Sequence, residues 1–210
     1  MIKVLLFDFW GTLVETGVYS PTKQVQDMLR VHMPFGQYVV KMERAMMTQK
    51  FDSLREAFLA VGETFGMRVH GEVMEQLIGL WNKSWMLARP YEEIEEMLGE
   101  LQKKYRLVLV SNSDVFSVPK VVEKYGLGKY FEKQFWSYEM GKIKTDEEFM
   151  QAVLRELNVD VQDCVFIGDS LHSDMAVATR AGMRGILMDR KSGREYSPKV
   201  KSLRELQAQL

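Results

Sequence analysis

Apolar residues fall along this chain in two rhythms. In the first, short unbroken runs stop at small polar residues: Val4-Leu5-Leu6-Phe7 ends at Asp8, Leu107-Val108-Leu109-Val110 at Ser111, Cys164-Val165-Phe166-Ile167 at Gly168-Asp169, and Gly185-Ile186-Leu187-Met188 at Asp189. Aliphatic and β-branched runs of this length predict strands, the first spanning residues 1–7, and their apolar character at every position predicts that both faces are covered. Such strands with helices between them form a parallel sheet, so the chain reads as a doubly wound α/β protein.

The second rhythm is helical. Residues 23–31, 36–47, 54–65 and 72–87 carry apolar side chains three and four positions apart, with Gly, Pro and Asp-Ser punctuation between them. Together they predict an all-helical insert over about residues 19–86, between the first strand and the second. Residues 92–104, after Pro90, read as a helix leading into the second strand, with its Lys and Glu mixture as a solvated face.

Composition narrows the picture modestly. With 210 residues and 46% hydrophobic content the chain can bury a real core as one large or two small domains. A net charge of -1 and a pI near 6.3 give no general pull toward nucleic acid or anionic lipid, so a small-molecule partner is expected, with neither nucleic acid nor membrane. One cysteine, Cys164, excludes an internal disulfide framework and a Cys-based zinc site, and fits a reducing cytoplasm. The apolar start is too short for a secretory core or a membrane span.

Four sites along the chain point to chemistry. Asp8 opens Asp8-Phe9-Trp10-Gly11-Thr12-Leu13 at the carboxyl end of the first strand, where open α/β sheets bind ligands. Ser111-Asn112 ends the second. Lys144 begins Lys144-Thr145-Asp146-Glu147-Glu148-Phe149, and Gly168-Asp169-Ser170-Leu171-His172-Ser173-Asp174 follows the third apolar run. A single Asp after a strand is usually a turn or cap residue, because it satisfies exposed backbone donors. Four such sites in this order are not explained by capping. The set resembles the haloacid dehalogenase-like (HAD) hydrolase superfamily over essentially the whole chain. That resemblance implies a Rossmann-like core of residues 1–15 and 89–210, with residues 16–88 as a mobile C1-type cap.

Chemistry then assigns roles. Asp8 would attack phosphorus and form an aspartyl-phosphate that water hydrolyses, one difficult displacement split into two. Ser111, Asn112 and Thr12 would bind the transferring group, and Lys144 would supply a compact positive charge beside the nucleophile. Asp8, Asp169 and Asp174 against one ammonium would repel a dianionic phosphate unless a divalent cation joined them, and magnesium is the expected cofactor. The resemblance implies the carboxylates of Asp8 and Asp169 and the main-chain carbonyl of Trp10 as its ligands, with Asp174 orienting a metal water or Lys144 from behind.

Trp10 is where the pattern breaks. Phosphatases of the superfamily carry a second Asp here that protonates the leaving group, a task worth about 10²–10⁴ in rate. Indole donates a hydrogen bond but has no useful acidity. An aromatic residue at this position resembles the dehalogenase branch, which attacks carbon and needs no leaving-group proton. Two enzyme readings therefore stand, with a non-catalytic binding protein as a third. Gly168-Asp169 with Asp174 five residues on follows the phosphatase pattern, and its carboxylates would repel a haloacid. A phosphatase lacking this acid would favour aryl or acyl phosphates, unless Asp114 or His172 replaced it. In the insert, Arg44 falls near the carboxylate-binding Arg of dehalogenases and is a candidate substrate contact, while Trp81, Trp85, Met46 and Met47 are assigned to packing.

Overall fold

The computed structural model describes all residues 1–210. The chain opens with β1 (Val4–Phe7) and a short β2 (Val14–Glu15). Four helices follow, α1 (Pro21–Met28), α2 (Phe35–Met47), α3 (Leu54–Thr64) and α4 (Gly71–Met86). A two-residue β3 (Arg89–Pro90) pairs antiparallel with β2, so the chain leaves and returns to the sheet through one ribbon. Then come α5 (Ile94–Leu101), β4 (Arg106–Ser111), α6 (Val118–Lys124), β5 (Lys133–Trp136), α7 (Ser137–Met140) and α8 (Glu147–Leu157). The chain closes with β6 (Cys164–Gly168), α9 (Ala176–Arg180), β7 (Arg184–Met188) and β8 (Lys199–Val200).

Six strands form one parallel sheet in the order β5-β4-β1-β6-β7-β8. The α/β expectation is met, and the alternation of side chains explains why. Leu5 and Phe7 fall on one face with their partners Leu107, Leu109, Val165 and Ile167, where Ile94, Leu98, Val118 and Val121 cover them. Val4 and Leu6 fall on the other with Val108 and Phe166, under Phe149, Val153, Val177 and Ala178. Both faces are dry, and this is why the strand runs carry no polar positions.

The chain winds from β1 outward through β4 to β5, then returns to β6 and winds the other way. That reversal opens a crevice at the carboxyl ends of β1 and β6, where sheets of this kind bind ligands. Helices α1 to α4 pack around an apolar cluster of their own that includes Tyr38, Met42, Phe58, Leu77 and Trp81.

Several elements differ from the sequence reading, among them the two-residue β2, β3 and β8, which are too short to make an apolar run. β5 is a strand that the apolar runs miss, because Lys133 and Gln134 are only half-buried at the sheet edge and only Phe135 and Trp136 are covered. The first strand begins at Val4 rather than Met1: the paired register starts at Val4, and before it only Lys3 hydrogen-bonds to the sheet, its carbonyl accepting from the Arg106 N–H at 2.9 Å.

Candidate active site

The turn after β1 carries Asp8, Trp10, Gly11 and Thr12. Gly11 adopts a left-handed φ of 72°, and any Cβ there would run into the carboxylate of Asp169. Gly168 meets the same limit on the neighbouring strand, where a side chain would collide with Asp174. Both glycines therefore exist to let carboxylates close up. Asp8, Asp169 and Asp174 each offer an oxygen within 4.8 Å of the others.

Lys144 is the cation among them. Its side chain is almost fully buried, and Nζ donates to Asp8 Oδ1 at 2.5 Å and to Asp174 Oδ1 at 2.6 Å. Its backbone N–H donates to Asn112 Oδ1 at 2.8 Å, which ties the lysine loop to the end of β4. Burial alone would lower the ammonium's pKa, but the two facing carboxylates outweigh it and hold Lys144 well above the usual lysine range. Asp174 has no oxygen left, because Oδ2 accepts from the Ser170 N–H at 3.0 Å. It serves the lysine from behind.

The other two carboxylates are differently placed. Asp8 Oδ2 meets only the Thr12 hydroxyl, at a long 3.4 Å, and the Asp169 carboxylate accepts no hydrogen bond at all. Burial, as the main cause, pushes both carboxyls above the usual range, and for Asp169 the charges of Asp8 and Asp174 add to it. Two under-satisfied carboxylates a few ångströms apart are a donor set that a hard divalent cation fits, since magnesium takes oxygen ligands at about 2.0–2.1 Å.

Asp169 opens onto a cleft of about 720 Å³ between the sheet edge and the helices, lined among others by Trp10, Gly11, Asn112, Trp81 and Tyr91, while Asp8, Lys144 and Asp174 lie buried behind its wall. Ser111 is buried beneath it and turns its hydroxyl to the Asn112 carbonyl at 3.2 Å. Trp10 forms one wall, its ring edge-on to Phe9 at 4.9 Å. Met46 and Met47 are buried with Trp81 among the helices, and Trp85 packs against the sheet cluster.

Three candidates from the sequence, Arg44, Asp114 and His172, neither line the cleft nor touch the carboxylate cluster. Arg44 points the other way, where its guanidinium grips both oxygens of Asp146 at 2.6 and 3.0 Å, a bond between α2 and the lysine loop. Asp114 is buried and fully committed: Oδ2 accepts from Trp81 Nε1 and Ser117 Oγ, both at 2.9 Å, and Oδ1 from the Phe116 N–H at 2.7 Å. With no free oxygen it holds the helices against β4 rather than moving protons. His172 is exposed on a single wide turn, Leu171–Met175, and does not line the cleft.

Sequence reasoning missed two features. Glu43 projects from α2 into the cleft, where Oε2 accepts from Asn112 Nδ2 at 2.7 Å. The signal was there: Val39, Met42, Met46 and Met47 make one helical stripe, and Glu43 is the polar position inside it. The second is the loop after β7. Arg190 donates to the Thr12 carbonyl at 2.6 Å and to Glu93 at 2.8 Å, while Arg194 binds Asp189 at 3.0 Å and the Asp169 carbonyl. Both arginines brace the turns that carry the carboxylates.

Fold and site together define a doubly wound α/β enzyme with an acidic cluster and one buried lysine at the carboxyl edge of its sheet. The model of the haloacid dehalogenase-like hydrolase family matches residues 2–182, and the chain belongs to that family of hydrolases. Among curated relatives, a glyceraldehyde 3-phosphate phosphatase of Methanothermobacter thermautotrophicus is 26% identical over 199 residues, covering 90% of this chain and 86% of the relative. Among solved structures, a 2-haloacid dehalogenase from Pseudomonas syringae is similar with a TM-score of 0.67 at 19% identity, over 99% of this chain and 97% of the other. A HAD family enzyme from Bacteroides thetaiotaomicron, in complex with magnesium and inorganic phosphate, is similar with a TM-score of 0.62 at 22% identity, over 94% and 98%. At such identities the structures speak for the fold.

Proposed function

We propose that this hydrolase is a magnesium-dependent phosphatase that acts on a small phosphorylated metabolite through an aspartyl-phosphate on Asp8. The observation that carries the reading is the pair of under-satisfied carboxylates, Asp8 and Asp169, close together at the edge of the cleft that Asp169 lines, beside a lysine already paired with Asp174. A haloacid carboxylate would have to react beside Asp8, Asp169 and Asp174, where the one buried cation, Lys144, is already shared between Asp8 and Asp174. The phosphatase names among the curated relatives support the same class.

The carboxylates of Asp8 and Asp169, with the main-chain carbonyl of Trp10, would hold magnesium, whose charge neutralises that of the phosphoryl oxygens. Asp8 attacks phosphorus through its carboxylate, whose orientation is fixed by the bond of Oδ1 to Lys144 at 2.5 Å. Lys144 and Thr12, both within reach of Asp8, stabilise the charge on the transferring group, while Ser111 holds the end of β4 through the Asn112 carbonyl. Helices α1 to α4, about residues 16–88, act as a lid whose closure shields the site from bulk solvent and selects the leaving group.

A parallel screen on phosphate esters and 2-haloacids tests this directly. Phosphate release should vanish with a chelator, return with magnesium, and be absent in Asp8→Asn, whose amide keeps the shape but is no nucleophile. Metal-independent chloride release from 2-chloropropionate without any phosphatase activity would overturn it in favour of the dehalogenase reading that Trp10 suggests.

A further inference from the structure

The acid that the first turn lacks has a replacement on the facing helix. Glu43 is partly buried in the cleft wall, and only one of its oxygens is occupied. Oε2 accepts from Asn112 Nδ2 at 2.7 Å, while Oε1 makes no hydrogen bond and is open to the cleft shared with Trp10 and Asp169. Asn112 is itself fixed from the other end, since its Oδ1 accepts from the backbone N–H of Lys144, whose Nζ binds Asp8. The carboxyl is therefore locked in register with the nucleophile through two side chains.

Direction matters as much as proximity. Asp8 attacks from the sheet edge, and in an in-line displacement the leaving oxygen departs on the far side of phosphorus. Glu43 reaches the same cleft from α2, an element separate from the turn that carries Asp8. We propose that Glu43 is the general acid and base of this hydrolase, supplied from the helical insert in place of the carboxylate that Trp10 displaced. The inference rests on the phosphatase reading above.

As the Asp8 carboxylate bonds to phosphorus, the bond from phosphorus to the leaving oxygen breaks, and that oxygen keeps the electron pair and takes the proton of Glu43. The alcohol leaves and Glu43 is a carboxylate. Water then attacks phosphorus while Glu43 takes one of its protons, the bond to Asp8 breaks, and inorganic phosphate, free Asp8 and protonated Glu43 are restored. The charge environment suits the double role. Burial above all, offset by Lys144 and the Asn112 bond and reinforced by Asp174 and Asp8, leaves the Glu43 carboxyl raised to about 7, where it can both give and take a proton near neutrality.

The test compares p-nitrophenyl phosphate, whose leaving group needs no proton, with an alkyl phosphate, in wild type, Glu43→Gln and Glu43→Asp, all with magnesium. Glu43→Gln should lose about 10²–10⁴-fold on the alkyl phosphate. On p-nitrophenyl phosphate it should give a rapid burst of one p-nitrophenol per active site followed by slow turnover, because the first step survives and hydrolysis of the aspartyl-phosphate does not. Glu43→Asp, an acid with a shorter reach, should recover part of the alkyl activity, with circular dichroism confirming that each variant is folded. An equal loss on both substrates without a burst, or no loss on either, would overturn the role of Glu43 alone. Absence of phosphate release by the wild type would overturn the phosphatase reading and this inference with it.

Discussion

At position 10 a single side chain separates this protein from the pattern that its other site residues follow. Indole fills one wall of the cleft and leans edge-on against Phe9, a packing role that a phenyl ring can also fill. Trp10→Phe should therefore keep phosphate release within a few-fold of wild type. Trp10→Asp, placed in the Glu43→Gln background, should return alkyl phosphate turnover by putting a carboxyl back on the turn. Its stability cost should stay below the roughly 3–5 kcal/mol of a fully buried aromatic, because Trp10 is only partly covered. Steady-state rates beside urea denaturation check both, and a folded double variant that recovers nothing would show that position 10 does not face the leaving oxygen.

At the scale of elements, α2 does two things with adjacent residues. Glu43 enters the cleft and Arg44 bonds Asp146 at the start of α8, so the helix is pinned to the loop that carries Lys144. The guanidinium holds the Asp146 carboxyl below the usual range, yet about half of the Arg44 side chain is exposed and water screens the pair. Arg44→Ala should cost no more than about 1 kcal/mol in chemical denaturation. It should also leave KM for small carboxylate-bearing phosphates within a few-fold, since the guanidinium faces Asp146 rather than the cleft. A large selective rise in KM for those substrates would show that the arginine swings inward when substrate binds.

Over the whole molecule, the sheet reversal and two glycines converge three carboxylates on one point, and that convergence is costly to the folded state until a cation joins it. Millimolar magnesium should raise the melting temperature of the protein without substrate. At a hundredfold excess over Kd, binding adds about 2.7 kcal/mol, which for a chain of this size corresponds to roughly 5–10 °C. Asp169→Asn should abolish the shift, because it removes the one carboxylate of the cluster that accepts no hydrogen bond. Differential scanning calorimetry with magnesium and with a non-binding monovalent salt distinguishes this from an ionic-strength effect.

No helix is long and apolar enough to cross a membrane, and the strands and helices that carry the core were legible in the chain. Periodicity is local, so the runs before Asp8, Ser111, Asp169 and Asp189 and the stripes of α1 to α4 announce themselves without reference to one another. The order of Asp8, Ser111, Lys144 and Asp169 likewise pointed to one site before any geometry was known. The half-polar edge strand β5 escaped because its burial depends on a neighbour, not on its own pattern. Which acids are free and which are spent was decided only by tertiary structure. Asp114 and Glu43 are both carboxylates near apolar residues, and nothing local distinguishes them. Folding saturates Asp114 with three donors, leaves Glu43 one open oxygen in the cleft, and turns Arg44 away toward Asp146, because hydrogen-bond partners come from parts of the chain that only the folded sheet and helices bring together.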